Sequence, residues 1–203
     1  MDFLLRKACR ILSIESNTVI PQLMTFIVDK PSTSKEIVHL INLILQEHVD
    51  FALGKSVIQS YLDPSVWDVQ LEASAGTTIA EVRSNSVLAC LLCEGLAVIT
   101  CAVGQEAHKL LNLVLYPVLE RAGSNIEVVA LAGRLALASI ATSLGYECSA
   151  DLICNEAHFF THHMAVRIRG LKKNPEALLV LCAVLRHGSQ AILPSIEPII
   201  KDV

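Results

Sequence analysis

Cys90 and Cys93 form a C-x-x-C pair, and Cys101 and His108 follow them along the chain. Thiolates and imidazoles are the ligands that structural zinc prefers, but its sites need two close pairs that converge tetrahedrally. The C-x-x-C pair lies among leucines in a segment that predicts a helix, where cysteine acts as a small apolar side chain. We therefore expect buried thiols here and no metal ligand.

A second set of potential metal ligands comprises His158 and His162, with Glu156 and His163 beside them. Two histidines four positions apart share one helix face and could hold a metal together. No HExxH arrangement is present, and a third ligand would have to come from another repeat. Histidines at or near the surface, titrating close to neutral pH, are the favoured interpretation.

Residues 53–56 end like a phosphate-binding loop, with Gly54 followed by Lys55 and Ser56. The full motif needs another glycine five positions before Gly54 and a preceding strand, but Val49 stands there and no strand pattern precedes it. We expect Gly54 to lie at a helix junction. The sequence also lacks a nucleophile elbow, a paired-carboxylate cleft and a glycine-rich dinucleotide turn. It therefore predicts no catalytic residues, no cofactor and no enzymatic activity.

Arg167, Arg169, Lys172 and Lys173 form the densest positive cluster in the sequence. Arginine binds carboxylates through two parallel hydrogen bonds, so such a cluster favours contact with an acidic segment of a partner protein. The same cations would also be favourable simply because they lie near a helix C-terminus. Both interpretations stay open, and the four residues are our candidate protein-binding residues. No interleaved aromatic residues indicate nucleic-acid stacking.

The composition indicates what kind of fold positions these residues. Of the 203 residues, 53% are hydrophobic and 18% are charged, which excludes a mainly disordered chain. Only 4% are aromatic, which favours helices packed on helices over a β-sandwich. The net charge of −4 gives no field that would attract nucleic acid. Seven cysteines and no N-x-[ST] acceptor favour a reducing compartment, the cytoplasm or the nucleus.

Residues 105–144 show how the helices are paired. Gly123 ends the first helix, and Ser124 or Asn125 could cap the second. The second helix is apolar on nearly all sides, so we expect neighbours to cover more than one of its faces. A polar row lies along one face of the first helix, at Gln105, Lys109, Asn112, Tyr116 and Glu120, with leucines and valines opposite.

Other segments repeat this arrangement of an outer helix, a turn and an inner helix. Residues 21–29 predict an outer helix, and Thr33 with Glu36 forms a capping box for an inner helix that continues to about His48. The segment 72–78 predicts a loop. Further helices are predicted at residues 79–103 and 151–171.

Prolines mark several of the predicted helix starts. Asp63-Pro64 and Asn174-Pro175 each predict a cap followed by proline at the first helical position. An apolar-Pro-x-apolar motif recurs at Pro21, Pro117 and Pro194. The sequence thus predicts an all-α fold, an α-solenoid of HEAT-like antiparallel helix pairs, as a single segment over residues 1–203.

Apolar residues at both ends of the chain predict that neither end is capped by a polar repeat. They are Phe3, Leu4 and Leu5 at the start, and Ile196, Ile199, Ile200 and Val203 along one side of the closing helix. A solenoid needs polar capping repeats, so we expect this chain to be part of a longer one.

Six motifs in order along residues 63–203 resemble the Tel-two-interacting protein one family, in its central HEAT region. They are DPSVWDV, LLCEGLAVI, LYPVLERAGSN, LGYECSADLICN, AVRIRGLKKNP and VLRHGSQAILPSIEPIIKDV. Relatives usually carry an acidic-aromatic pair where this chain has His158, Phe159 and Phe160.

The resemblance implies a co-chaperone scaffold of the Triple T complex. Its implied partners are subunits like Tel two and Tel-two-interacting protein two, phosphatidylinositol-3-kinase-related kinases and the chaperone machinery, with no nucleic acid and no membrane. Another HEAT adaptor, such as a transport receptor or a phosphatase scaffold, is an alternative. A membrane-embedded helical bundle is a weaker one, because Glu94 interrupts the most apolar stretch, residues 84–105.

Overall fold

The computed structural model describes residues 16–29, 34–46, 49–74 and 76–201, and these form helices and connecting turns with no strand among them. The prediction of an all-α helical-repeat fold is confirmed. The chain divides into two compact units, with the division between Glu106 and Ala107. That the whole chain forms a single repeat segment stays a prediction.

The first unit places a long helix, buried mainly in its second half, against shorter ones. Helix α2 packs against α1 and α5, and α3 also packs against α5. The predicted helix over residues 79–103 is confirmed with the same bounds. The helices in the described part of this unit are α1 (Ser16–Asp29), α2 (Ser34–Ile44), α3 (Phe51–Tyr61), α4 (Pro64–Trp67) and α5 (Ile79–Val103).

Local capping explains where these helices begin. Asp63 accepts a hydrogen bond from the Ser65 backbone N–H, so the predicted cap before Pro64 is confirmed, although α4 is only one turn long. Ahead of α5, the Thr78 N–H donates to Glu81 Oε2 at 2.7 Å and the Glu81 N–H donates to Thr78 Oγ1 at 3.2 Å. The Thr78 hydroxyl also donates to Glu81 Oε2, at 2.8 Å, and the two hydrogen bonds that Oε2 accepts from Thr78 lower the pKa of the Glu81 carboxyl. The predicted Thr33 cap and the helix end at His48 lie outside the described residues.

A buried polar network fixes the crossing of α2, α3 and α5. The Asn42 Nδ2 donates to the Leu91 carbonyl at 2.8 Å, and the Tyr61 hydroxyl donates to Asn42 Oδ1 at 3.0 Å. Both side chains are almost fully buried. A Cβ on Gly95 would overlap Asn42 Oδ1 and the Tyr61 ring, so glycine is needed for this close approach.

The second unit is built around a helical hairpin. Helices α6 and α7 form the predicted pair, and α6 also packs against α9 and α10. A Cβ on Gly133 of α7 would overlap the backbone of Ala122, so the two helices touch backbone to backbone there. The helices are α6 (Leu111–Ala122), α7 (Glu127–Ser143), α8 (Ser149–Asn155), α9 (His158–Arg169), α10 (Ala177–His187) and α11 (Leu193–Lys201), with 3₁₀ turns at Gly104–Leu110 and Gln190–Ile192.

Two predicted helix starts in this unit are wrong by one or two residues. Helix α7 begins after Ile126 rather than Ser124 or Asn125, because the Ser124 hydroxyl accepts its hydrogen bond from the Ile126 N–H and closes a turn before the helix. Helix α10 begins after Glu176, since Asn174 and Pro175 belong to the preceding turn.

On two helices, burial differs from what the pattern of polar and apolar residues suggests. In the polar row on α6, Tyr116 and Glu120 are buried, because α6 has neighbours on several sides. On α7, which we expected to be covered on more than one side, Val128, Leu131 and Leu135 are exposed. The apolar residues of α7 therefore cover both its packed face and a face that reaches solvent.

The closing helix α11 is apolar, as predicted, but on two sides. Ile196 and Ile199 are buried, whereas Ile200 is exposed together with Leu193. Val203 and the residues Phe3 to Leu5 lie outside the described part of the chain.

One helical stretch, Ile79–Ala122, is long and apolar enough to cross a membrane by length and composition alone. Of its most apolar window, 56% is buried inside the protein, a pattern that core helices share. Glu94, within this stretch, is exposed.

Candidate protein-binding surface

The positive cluster lies at the C-terminal end of α9 and in the turn that follows it. Arg167 and Arg169 occupy the last turn of the helix, where cations interact favourably with the helix dipole. Lys172 and Lys173 follow in a turn closed by hydrogen bonds to the Gly170 carbonyl. All four cationic side chains are exposed, at the end of this helix and in the turn after it.

Arg167 is held in place by contacts on two sides. Its guanidinium lies 5.0 Å from the centre of the Tyr116 ring, and its Nη1 lies 3.2 Å from Glu176 Oε1. Burial, together with the charges of Glu120 and Glu176, raises the pKa of Tyr116 to about 12, against the opposing effect of Arg167. The guanidinium thus bridges an aromatic face and a carboxylate, which fixes its direction.

The two lysines differ from Arg167 because no carboxylate lies within ion-pair distance of either in the part of the chain that the structure describes. Exposed ammonium groups of this kind keep their charge available to a partner. Val166, 56% exposed in the same helical turn as Arg167, adds an apolar contact beside the cations. The surface therefore suits a partner segment that carries carboxylates and an aliphatic residue.

The predicted histidine set does not converge on one point. His158 stacks on Phe159, with ring centres 4.0 Å apart, whereas His163 lies edge-on to Tyr116 at 6.2 Å. Both His158 and His162 are exposed, as the surface interpretation expects. Over the described ranges, no three His, Cys, Asp or Glu side chains are placed to hold a metal together.

Sequence reasoning missed the surroundings of Glu156. This carboxylate is buried; it accepts a hydrogen bond from the Tyr146 hydroxyl and lies 3.4 Å from His108 Nδ1 and 4.0 Å from His158 Nδ1. Burial and the Glu156 carboxylate raise the pKa of Tyr146 to about 12. The network ties the 3₁₀ turn before α6 to the junction of α8 and α9. The sequence singled out Glu156 and His158 in one set of potential metal ligands and His108 in another, but it gave no signal that joins them to Tyr146.

The cysteines of the C-x-x-C pair lie on α5 as predicted, and they differ in burial. Cys93 is buried and Cys90 is partly buried, so that burial raises the pKa of the Cys90 thiol. Cys101 is exposed, so the expectation of buried thiols is wrong at that position. His108 lies close to the Glu156 carboxylate instead.

Gly54 lies inside α3 and serves helix packing. A Cβ there would stand 3.0 Å from Ile99 and from Val103 of α5, so the glycine lets the two helices approach closely. The N–H groups of Ala52 and Leu53 donate to the Asp50 carboxylate. These N–H groups are therefore already engaged, and a phosphate-binding loop is not formed.

Comparison with known proteins agrees with the motifs. Residues 115–203 match the family model described as TELO2-interacting protein 1. The TELO2-interacting protein 1 homolog of Mus musculus is 29% identical over 126 residues, and that of Homo sapiens is 27% identical over 126 residues. Each match covers 62% of this chain and 12% of the relative, so the chain spans a small part of their length. No solved structure matches the chain.

The fold and the exposed cationic surface define an all-α helical-repeat protein with a candidate protein-binding site. The matched segment includes most of α6, all of α7 to α11 and all four residues of the cationic cluster. These matches confirm the resemblance to the TELO2-interacting protein 1 family that the motifs indicate.

Proposed function

We propose that the chain is part of a non-enzymatic helical-repeat scaffold that supports chaperone-dependent maturation and stability of phosphatidylinositol-3-kinase-related kinases. The family match over residues 115–203 carries this proposal, because the relatives are by name proteins that interact with TELO2. A repeat protein presents long helical faces that bind other proteins without chemistry, which is consistent with such a role.

Within this role, the cluster of Arg167, Arg169, Lys172 and Lys173 binds an acidic segment of a partner such as TELO2. The exposed lysines provide charge, and Arg167, directed by Tyr116 and Glu176, provides a fixed guanidinium. Charges at the rim of an interface mainly speed association and select partners, so we expect these residues to set specificity more than total affinity.

The proposal is tested by binding purified TELO2 to the chain and to two charge-matched variants. Lys172→Glu with Lys173→Glu changes the cluster, whereas Lys55→Glu with Arg83→Glu makes the same change in net charge at exposed positions of the first unit. We expect the first pair to weaken binding about tenfold and the second pair to leave it within about twofold, since each exposed ion pair contributes up to ~1 kcal/mol.

If the two double variants bind TELO2 with equal affinity, the cationic cluster does not take part in the interface. Absence of TELO2 binding to both the chain and the longer protein containing it would contradict the scaffold proposal itself. We also place the protein in the cytoplasm or nucleus, which imaging of a tagged full-length protein tests. Secretion of the tagged protein would contradict that placement.

A further inference from the structure

Glu176 already pairs with one member of the cationic cluster. Its Oε1 accepts a hydrogen bond from Arg167 Nη1 at 3.2 Å, which is longer than the about 2.7–2.9 Å usual between a cation and a carboxylate. The corresponding distance between Arg134 and Glu127 on α7 is 2.6 Å. The Arg167 and Glu176 side chains are 44% and 31% exposed, so other anions can reach them from solvent. The pair between them is therefore loose and open to exchange.

The Tyr116 ring supports Arg167 independently of Glu176. The guanidinium carbon lies 5.0 Å from the centre of this ring, and Tyr116, on α6, is 7% exposed. A guanidinium carries five N–H donors, and the bond to Glu176 uses one of them. An incoming carboxylate that accepts two parallel hydrogen bonds would therefore replace a single bond with a stronger pair, while Arg167 stays on its aromatic support.

Glu176 in turn has a favourable position without Arg167. It immediately precedes α10, and its backbone carbonyl accepts hydrogen bonds from the N–H groups of Leu179 and Val180. A carboxylate at the start of a helix interacts favourably with the helix dipole, whether or not it also pairs with a cation. Since the side chain is partly exposed, its displacement leaves no buried charge behind. An acidic ligand can thus take the place of Glu176 at little cost.

We propose that Glu176 is an internal competitor, which occupies Arg167 until an acidic segment of the partner displaces it. The inference rests on the proposed function, because it concerns the ligand of the same cationic cluster. Lys172 and Lys173 have no carboxylate within ion-pair distance among the described residues, so they attract the acidic segment first. Arg167 then exchanges Glu176 for a carboxylate of that segment. Glu176 thereby lowers the affinity of the cluster for acidic segments.

Removal of the Glu176 charge tests this competition. Glu176→Gln keeps the size of the side chain, and Glu127→Gln is the matched control, because it removes the same charge from the exposed ion pair with Arg134. One probe is fluorescein-labelled TELO2, and the other is a fluorescein-labelled hexaglutamate peptide, whose binding does not depend on TELO2. Fluorescence anisotropy with the complete 203-residue chain at low salt measures both affinities. Circular dichroism checks that each variant keeps its helical content.

We expect Glu176→Gln to bind both probes about two- to fivefold more tightly than the wild type, the range that one exposed ion pair can account for. Glu127→Gln should stay within about 1.5-fold of the wild type, since its charge lies outside the cluster. In an Arg167→Gln background, the further change Glu176→Gln should have no effect, because Glu176 acts through Arg167. A purely structural role of Glu176 would instead weaken binding and would persist without Arg167.

Equal or weaker binding by Glu176→Gln would overturn the competition. An equal gain in Glu127→Gln, or a gain that persists in the Arg167→Gln background, would overturn it as well. So would the absence of hexaglutamate binding to both the wild type and Glu176→Gln. Failure of the proposed function gives a different result: Glu176→Gln gains affinity for hexaglutamate while TELO2 binds neither protein, so that the competition stands and the TELO2 partner is wrong.

Discussion

Removal of one buried hydroxyl tests the network that joins α2, α3 and α5. In Tyr61→Phe, Asn42 Oδ1 loses the hydrogen bond that it accepts at 3.0 Å, while Asn42 Nδ2 keeps its bond to the Leu91 carbonyl. Asn42 is 1% exposed, so water cannot replace the lost donor without entering the core. An acceptor left unsatisfied in this way costs about 1–3 kcal/mol.

The assay uses the single tryptophan of the chain. Trp67 is buried in the first unit, as Tyr61 is, so its fluorescence during urea denaturation reports the unfolding of that unit. A loss of about 2 kcal/mol lowers the urea midpoint by about 1 M, with a slope typical of a small domain. Ser60→Ala is the control, because it removes a hydroxyl whose hydrogen bond to the Ser56 carbonyl is exposed.

A double-mutant cycle with Asn42→Ala separates the pair from its surroundings. We expect Asn42→Ala to cost more than Tyr61→Phe, because it also leaves the Leu91 carbonyl without its donor. The two changes together should cost about 1 kcal/mol less than their sum, as expected for residues in one network. A midpoint for Tyr61→Phe equal to that of Ser60→Ala, or additive costs in the cycle, would refute this reasoning.

Three further predictions follow from the same physical causes. All three tyrosines have raised pKa values, so the absorbance of the native protein should show little phenolate at pH 10. The free energy of unfolding should fall as pH rises beyond 10, and phenolate absorbance below that pH would contradict this prediction. His187 has a lowered pKa, so its protonation reduces the stability of the fold as pH falls through about 6.5. In Arg186→Gln, NMR titration should show the pKa of His187 rise toward that value, and an unchanged titration would show that Arg186 does not contribute to the shift. Gly133→Ala should cost about 1–3 kcal/mol by thermal denaturation, because its methyl group would overlap the Ala122 backbone, and a neutral effect would show that the hairpin is looser.

The helices could be predicted from sequence because their signals are local. The start of α4 is set by Asp63 and the adjacent Pro64, and α5 forms from the apolar run that predicted it. In both cases the signal lies in or next to the helix itself. Ser124 misled because a hydroxyl that precedes a helix can close a turn as well as cap the helix.

Burial was harder to predict, since it depends on which other helices pack against a given face. The apolar residues of α7 gave no indication that Leu131 and Leu135 face solvent. Glu156 is buried because the fold brings Tyr146 and His108, from other parts of the chain, into contact with it. The cationic cluster could be found from sequence because its members are close along the chain, but the Tyr116 ring under Arg167 comes from another helix.

Calorimetric titration of the chain with TELO2 at low and at high salt tests the central claim most directly. If the chain is a scaffold that binds through its cationic cluster, the wild type should bind and the affinity should fall as salt is raised. The variant with Lys172→Glu and Lys173→Glu should bind more weakly and show a smaller salt dependence. Binding that is independent of salt and equal in the two proteins would contradict the account.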